Sequence, residues 1–101
     1  MNELESRFQD ALIGLYTRTK KELHYNAKRF MQMLLEDGAV ATAKKLIRKE
    51  MSDGLTELWV RHRLDLSVEA AVINPRWNDL FTDEDRQISR DKLVKLGYKG
   101  I

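Results

Sequence analysis

Ser67-Val68-Glu69-Ala70-Ala71-Val72-Ile73-Asn74-Pro75 is the stretch that decides between an all-helical chain and a mixed one. Val68, Val72 and Ile73 are β-branched and would suit a short strand. A strand needs a partner for its backbone hydrogen bonds, and no second run of this kind exists to pair with it. The same residues read as a helix opened by Ser67 as N-cap and ended near Asn74, because Pro75 disfavours a helical residue before it. On that reading the fold is all-α and has no sheet.

The flanks extend the pattern. Upstream, Ser52-Asp53-Gly54 punctuates the chain, and Asp53 is the expected cap of a short helix that buries Leu55, Leu58 and Trp59 and packs His62 along its side. Downstream, residues 76–81 read as a loop whose aromatics, Trp77 and Phe81, must tuck inward. Thr82 then caps a helix with Asp83, Glu84 and Asp85 in its first turn, where the positive end of the helix dipole favours them. Ile88, Leu93 and Leu96 are its inner positions, and Gly97 closes it.

Toward the N-terminus, Leu4, Phe8, Ala11, Leu12, Leu15 and Tyr16 recur at steps of three and four, one buried helical stripe over residues 3–18. Gly14 within it suggests a close helix crossing. Residues 19–25 read as a connector and Asn26 as the N-cap of a second helix, with Ala27, Phe30, Met31, Leu34 and Leu35 inside. Gly38 ends that helix in left-handed backbone, and a third runs from about Val40 to Lys49. The expected architecture is a single compact domain over residues 1–101, built of about six short helices.

Composition narrows the function. Hydrophobic residues at 43% and charged residues at 34% describe an ordinary globular domain, not a disordered chain. The absence of cysteine removes disulfides, thiolate metal sites and a cysteine nucleophile. No apolar run approaches the ~20 residues that span a bilayer. The opening Met1-Asn2-Glu3-Leu4-Glu5 is acidic rather than basic-then-apolar, so no secretory leader is expected and the cytoplasm is the expected location. No glycine pattern matches a phosphate loop, and His24 and His62 lie far apart without ligand spacing to a carboxylate. Neither an enzyme nor a cofactor site is expected.

Charge gives a lead. The net charge is only +2, yet residues 1–50 carry ten basic and seven acidic side chains, against eight and nine in residues 51–101. Lys44, Lys45, Arg48 and Lys49 form one basic stripe at helical spacing, and Lys28 and Arg29 make a second cluster. Such a stripe suits a row of phosphates. It is equally the solvated face of an amphipathic helix, and no aromatic is interleaved with it. Glu69 is the other unusual residue, an acid amid apolar neighbours. A buried carboxylate needs a partner, and Arg63 and Arg76 are near enough in sequence to supply a guanidinium, Arg63 first.

From Gly54 onward, Gly54-Leu55-Thr56-Glu57-Leu58-Trp59, Arg63-Leu64-Asp65-Leu66-Ser67-Val68-Glu69-Ala70, then Pro75, Trp77, Leu80-Phe81-Thr82, Leu93 and Gly97-Tyr98, the chain resembles a small bacterial helical module. Such modules stand alone or form the C-terminal ends of larger proteins, some similar to HNH-type restriction endonucleases. Gly14-Leu15-Tyr16, Tyr25-Asn26 and Phe30 extend the resemblance upstream. It implies an accessory role near DNA-processing or defence systems. The nuclease chemistry does not carry over, because the HNH motif is missing here. The leading expectation is a non-enzymatic accessory module that binds nucleic acid, or a nucleic-acid-processing protein, through its basic N-terminal half. The alternatives are a protein–protein adaptor or self-associating module, for which Met31, Met33 and Met51 would suit an adaptable surface, and a subdomain that works only beside a catalytic partner.

Overall fold

The computed structural model describes residues 2–100. Its helices are α1 (Glu3–Leu23), α2 (Lys28–Asp37), α3 (Ala39–Ile47), α4 (Asp53–Val60), α5 (Val68–Val72) and α6 (Asp83–Lys95). Short 3-10 segments, Leu64–Leu66 and Pro75–Leu80, flank α5, and no strand occurs among the described residues.

The deciding stretch is helical, as the lack of a pairing strand requires. Ser67 accepts the Ala70 N–H at 3.1 Å and donates to the Leu64 carbonyl at 2.7 Å, so one hydroxyl closes the 3-10 turn and opens α5. Asn74 and Pro75 then start a second 3-10 segment where a loop was expected. That segment carries Trp77 into the core. Phe8 of α1 meets Trp77 and Phe81 edge-on, with ring centroids 5.3 and 5.2 Å apart. Leu12, Leu34, Ala43, Ile47 and Val72 complete this main core. Leu55, Leu64 and Leu93 form a smaller cluster under α4 and α6.

Several local expectations are corrected. α1 runs to Leu23 because its stripe continues through buried Thr19 and half-buried Leu23, and His24 ends it at φ 55°. Gly14 marks no crossing: a Cβ there would meet nothing within 4 Å. Asn26 does not cap α2; its side chain accepts the Tyr16 hydroxyl at 2.6 Å and Ala27 takes the N-cap position. Gly38, at φ 84° and ψ 162°, links α2 directly to α3 in a backbone region open mainly to glycine. Gln9 of α1 secures that link, donating to the Leu34 carbonyl at 3.2 Å and accepting the Ala39 N–H at 2.7 Å. One side chain thus bridges two helix ends, adding a second donor to the Leu34 carbonyl, which already accepts the Gly38 N–H, and satisfying the orphan Ala39 N–H.

Ser52, not Asp53, caps α4, accepting the Leu55 N–H at 3.1 Å. Trp59 is not a core anchor. It remains 45% exposed at the margin of α4, its indole N–H donating to the Leu96 carbonyl at 3.1 Å. His62 does not pack along α4; it is exposed at φ 60°, just past the helix end. Thr82 caps α6 as expected and forms a capping box with Asp85. Gly97, at φ 85°, follows α6.

Candidate nucleic-acid interface

The six cations singled out by sequence fall into two groups. Lys44 and Lys45 lie in the last turn of α3, Arg48 is its C-cap, and Lys49 follows it. From there Arg48 reaches the first turn of α6, where its guanidinium donates to Asp85 Oδ1 at 2.7 Å. Lys44 approaches Asp85 Oδ2 at 3.9 Å. Lys45 donates to Asp37 at 2.9 Å. Three of the four stripe cations are therefore engaged by carboxylates of the same chain.

Asp85 is the centre of that arrangement. Its residue is 1% exposed, and its other carboxylate oxygen accepts the Thr82 N–H at 3.0 Å. Burial pushes its carboxyl pKa up, but the hydrogen bonds from Thr82 and from the Arg48 guanidinium outweigh this and hold it below the usual aspartate value. The sequence shows Asp85 as a third first-turn acid. Its inward direction depends on the capping box and on the arrival of α3 from 37 residues away.

Lys28, Arg29 and Lys49 converge elsewhere. The segment before α2, its first turns and the start of α4 enclose a surface groove of about 510 Å³, lined by these three cations and by Tyr25, Asn26, Phe30 and Gln32. Among the described residues, no carboxylate lies within 4.0 Å of the Lys28 or Lys49 ammonium. Arg29 approaches Asp53 at 3.7 Å, with both side chains almost fully exposed, a geometry that contributes little. The acids on the rim are Asp53 and Glu36, the latter accepting from Gln32 at 3.0 Å. Burial, then the nearby charges of Glu57 and Asp53, raise the Tyr25 pKa, so its hydroxyl stays a donor at neutral pH. The aromatics absent from the α3 stripe are supplied to Lys49 by residues 25–30, a juxtaposition that spacing along one helix does not reveal.

Glu69 is buried and paired, but its partner is neither Arg63 nor Arg76. Lys92 of α6 donates to Glu69 Oε2 at 2.8 Å, and also to the Lys49 carbonyl at 2.7 Å and the Leu46 carbonyl at 3.5 Å. That triple role ties α5, α6 and the end of α3 together and uses all three ammonium donors. Arg63 instead bonds Glu22 at 2.9 Å and Asp65 at 3.0 Å, and Arg76 lies over the Trp77 ring, 4.7 Å from its centroid. A sequence signal for Lys92 does exist. It falls on the same side of α6 as Asp85, Ser89 and Leu93, all buried.

Among the described residues, no helix is long and apolar enough to cross a membrane, and no three His, Asp or Glu side chains gather as metal ligands. No protein family, characterised protein or solved structure matches the chain, so a functional reading stands on its own geometry.

Proposed function

We propose that this chain is a non-enzymatic helical module that holds a single strand of nucleic acid in the groove between α2 and the start of α4. The observation that carries this reading is the meeting, in one groove, of Lys28 and Lys49, neither with a carboxylate partner among the described residues, and Arg29, loosely held, beside Tyr25 and Phe30. Cations that follow a backbone and aromatic faces that take bases are the two parts a single-strand groove needs. The basic excess of residues 1–50 adds long-range attraction for an anionic strand.

Fluorescence anisotropy with a short labelled DNA single strand tests the reading. Three phosphate contacts give a log–log salt slope of about −2, roughly a hundredfold loss of affinity per tenfold rise in salt. Lys28→Glu combined with Lys49→Glu abolishes binding with an unchanged helical circular dichroism spectrum, whereas Lys45→Glu leaves binding near wild type. No detectable binding at low ionic strength overturns the proposal. The competing adaptor reading draws on the exposed apolar side chains Trp59, Val60 and Val94. Concentration-dependent self-association without salt-sensitive strand binding would favour it.

A further inference from the structure

The floor of the groove leads into the protein. Between α1, α2, α4 and α5 lies a cavity of about 60 Å³, and Tyr25, Ala27, Phe30, Leu46, Ser52 and Gly54 line both spaces. Leu15, Leu46, Leu55, Leu58, Leu66 and Val68 form much of its wall, and the surface it presents is almost wholly apolar. Polar residues stand along it, but most of their polar groups are bonded to the protein. The Tyr16 hydroxyl donates to Asn26 Oδ1 at 2.6 Å, and the Ser52 hydroxyl accepts the Leu55 N–H at 3.1 Å. Ser67 is held between Leu64 and Ala70, and Glu69 Oε2 accepts from Lys92 at 2.8 Å. A water or a base edge placed inside would give up hydrogen bonds and find few in return. Hydrocarbon suits such a wall. One water-sized group needs about 10–15 Å³ of such volume, so the cavity takes about four methylene-sized groups.

The mouth defines the other end of a ligand. Lys28 and Lys49 line the groove outside, both exposed and without a carboxylate partner among the described residues. Phe30 and Leu46, which line both spaces, lie two and three residues from them along the chain. The acids on the rim, Asp53 and Glu36, are met by Arg29 and Gln32. A short hydrocarbon chain with one negative head therefore matches the apolar space and the unpaired cations at once.

We infer that cavity and groove together bind a short-chain fatty acid anion, its tail in the cavity and its carboxylate on Lys28 and Lys49. Each methylene that enters raises affinity about fourfold, and the gain stops when the cavity is full. A cationic amphiphile meets like charge at the mouth, and a two-chain lipid exceeds the space. The inference stands apart from the strand reading. It uses the same two lysines but needs the cavity, which a strand stacked on Tyr25 and Phe30 does not enter.

The test is a titration with straight-chain carboxylates from acetate to decanoate at neutral pH, followed by the methyl NMR signals of Leu55 and Leu58. Those signals shift, hexanoate binds roughly fifteenfold more tightly than butyrate, and affinity levels off near hexanoate. Hexylammonium binds more weakly than hexanoate. Lys28→Gln combined with Lys49→Gln removes that difference, and the chain-length series needs no variant at all. Affinity that keeps rising through decanoate puts the tail on an open surface and overturns the inference. So does equal binding of hexylammonium by the wild type, or the absence of any shift at millimolar hexanoate. Either result leaves salt-sensitive strand binding, measured separately, to stand or fall alone.

Discussion

The starts of α4 and α6 look alike in sequence and differ in three dimensions. Each opens on a hydroxyl cap followed by acid, Ser52-Asp53 and Thr82-Asp83-Glu84-Asp85, and each meets basic residues of a preceding helix. At α6 the third acid turns inward, becomes nearly fully buried and binds Arg48 at 2.7 Å. At α4 the acid stays in water and meets Arg29 only at 3.7 Å. The α6 end is backed by Phe81 of the core, and its surface recess of about 380 Å³ is lined by Lys44, Lys45 and Arg48, cations already paired with Asp85 and Asp37. The α4 end opens onto the groove and the cavity beneath it. Whether a cation is tied to the scaffold, as Arg48 is by buried Asp85, or stays open to a ligand, as Arg29 does beside exposed Asp53, follows from how the helices pack. The position of the charge along the chain does not decide it.

That contrast can be broken at several points. The largest effect is expected at the aromatic contacts behind the α6 end. Trp77→Ala should cost about 3–5 kcal/mol, whereas Trp59→Ala, at the margin of α4, should cost about 1 kcal/mol. Urea denaturation of the two variants separates them, and equal losses would mean that Trp59 is as deeply packed as Trp77.

Charge reversal comes next. Arg48→Glu sets a second carboxylate against buried Asp85 and should cost about 2 kcal/mol, less than a fully buried pair because the guanidinium is half exposed. Arg29→Glu at the open end should stay within about 0.5 kcal/mol of wild type. An Arg48→Glu protein as stable as wild type would place Asp85 in solvent and remove the difference between the two ends.

The smallest effect is on acid stability. The Asp85 pKa is lower folded than unfolded, so its contribution is complete above the unfolded value of about 3.9 and is lost as pH falls through the folded one. Glu22, held low chiefly by Arg18 and then by Arg63, acts in the same sense. The wild-type urea midpoint should therefore drop as the solution is acidified below about pH 4. Asp85→Asn, less stable at neutral pH, should show a shallower acid decline. An equally steep decline in that variant would show that Asp85 titrates alike folded and unfolded.

The amino-acid sequence by itself determined the helical class and most helix ends. Those depend on neighbours within a turn or two: the Ser67 and Thr82 caps, the stop at Pro75, and the spacing of Phe8 and Leu12. It also determined that Glu69, once buried, requires a counter-charge, because a desolvated carboxylate is costly in any fold, and it placed Trp77 and Phe81 inward, although the same reading of large apolar area failed for Trp59. Tertiary structure alone decided which charges meet. Lys92 lies 23 residues from Glu69, and Arg48 lies 37 from Asp85, so each pair forms only when α3, α5 and α6 pack. The same packing divided six similar cations, committing Lys44, Lys45 and Arg48 to the chain's own acids and leaving Lys28, Arg29 and Lys49 around one groove. Periodicity along a helix shows which side a residue faces. Its partner is set by how far burial lowers the local dielectric and by which helix arrives there, and both are properties of the assembled core.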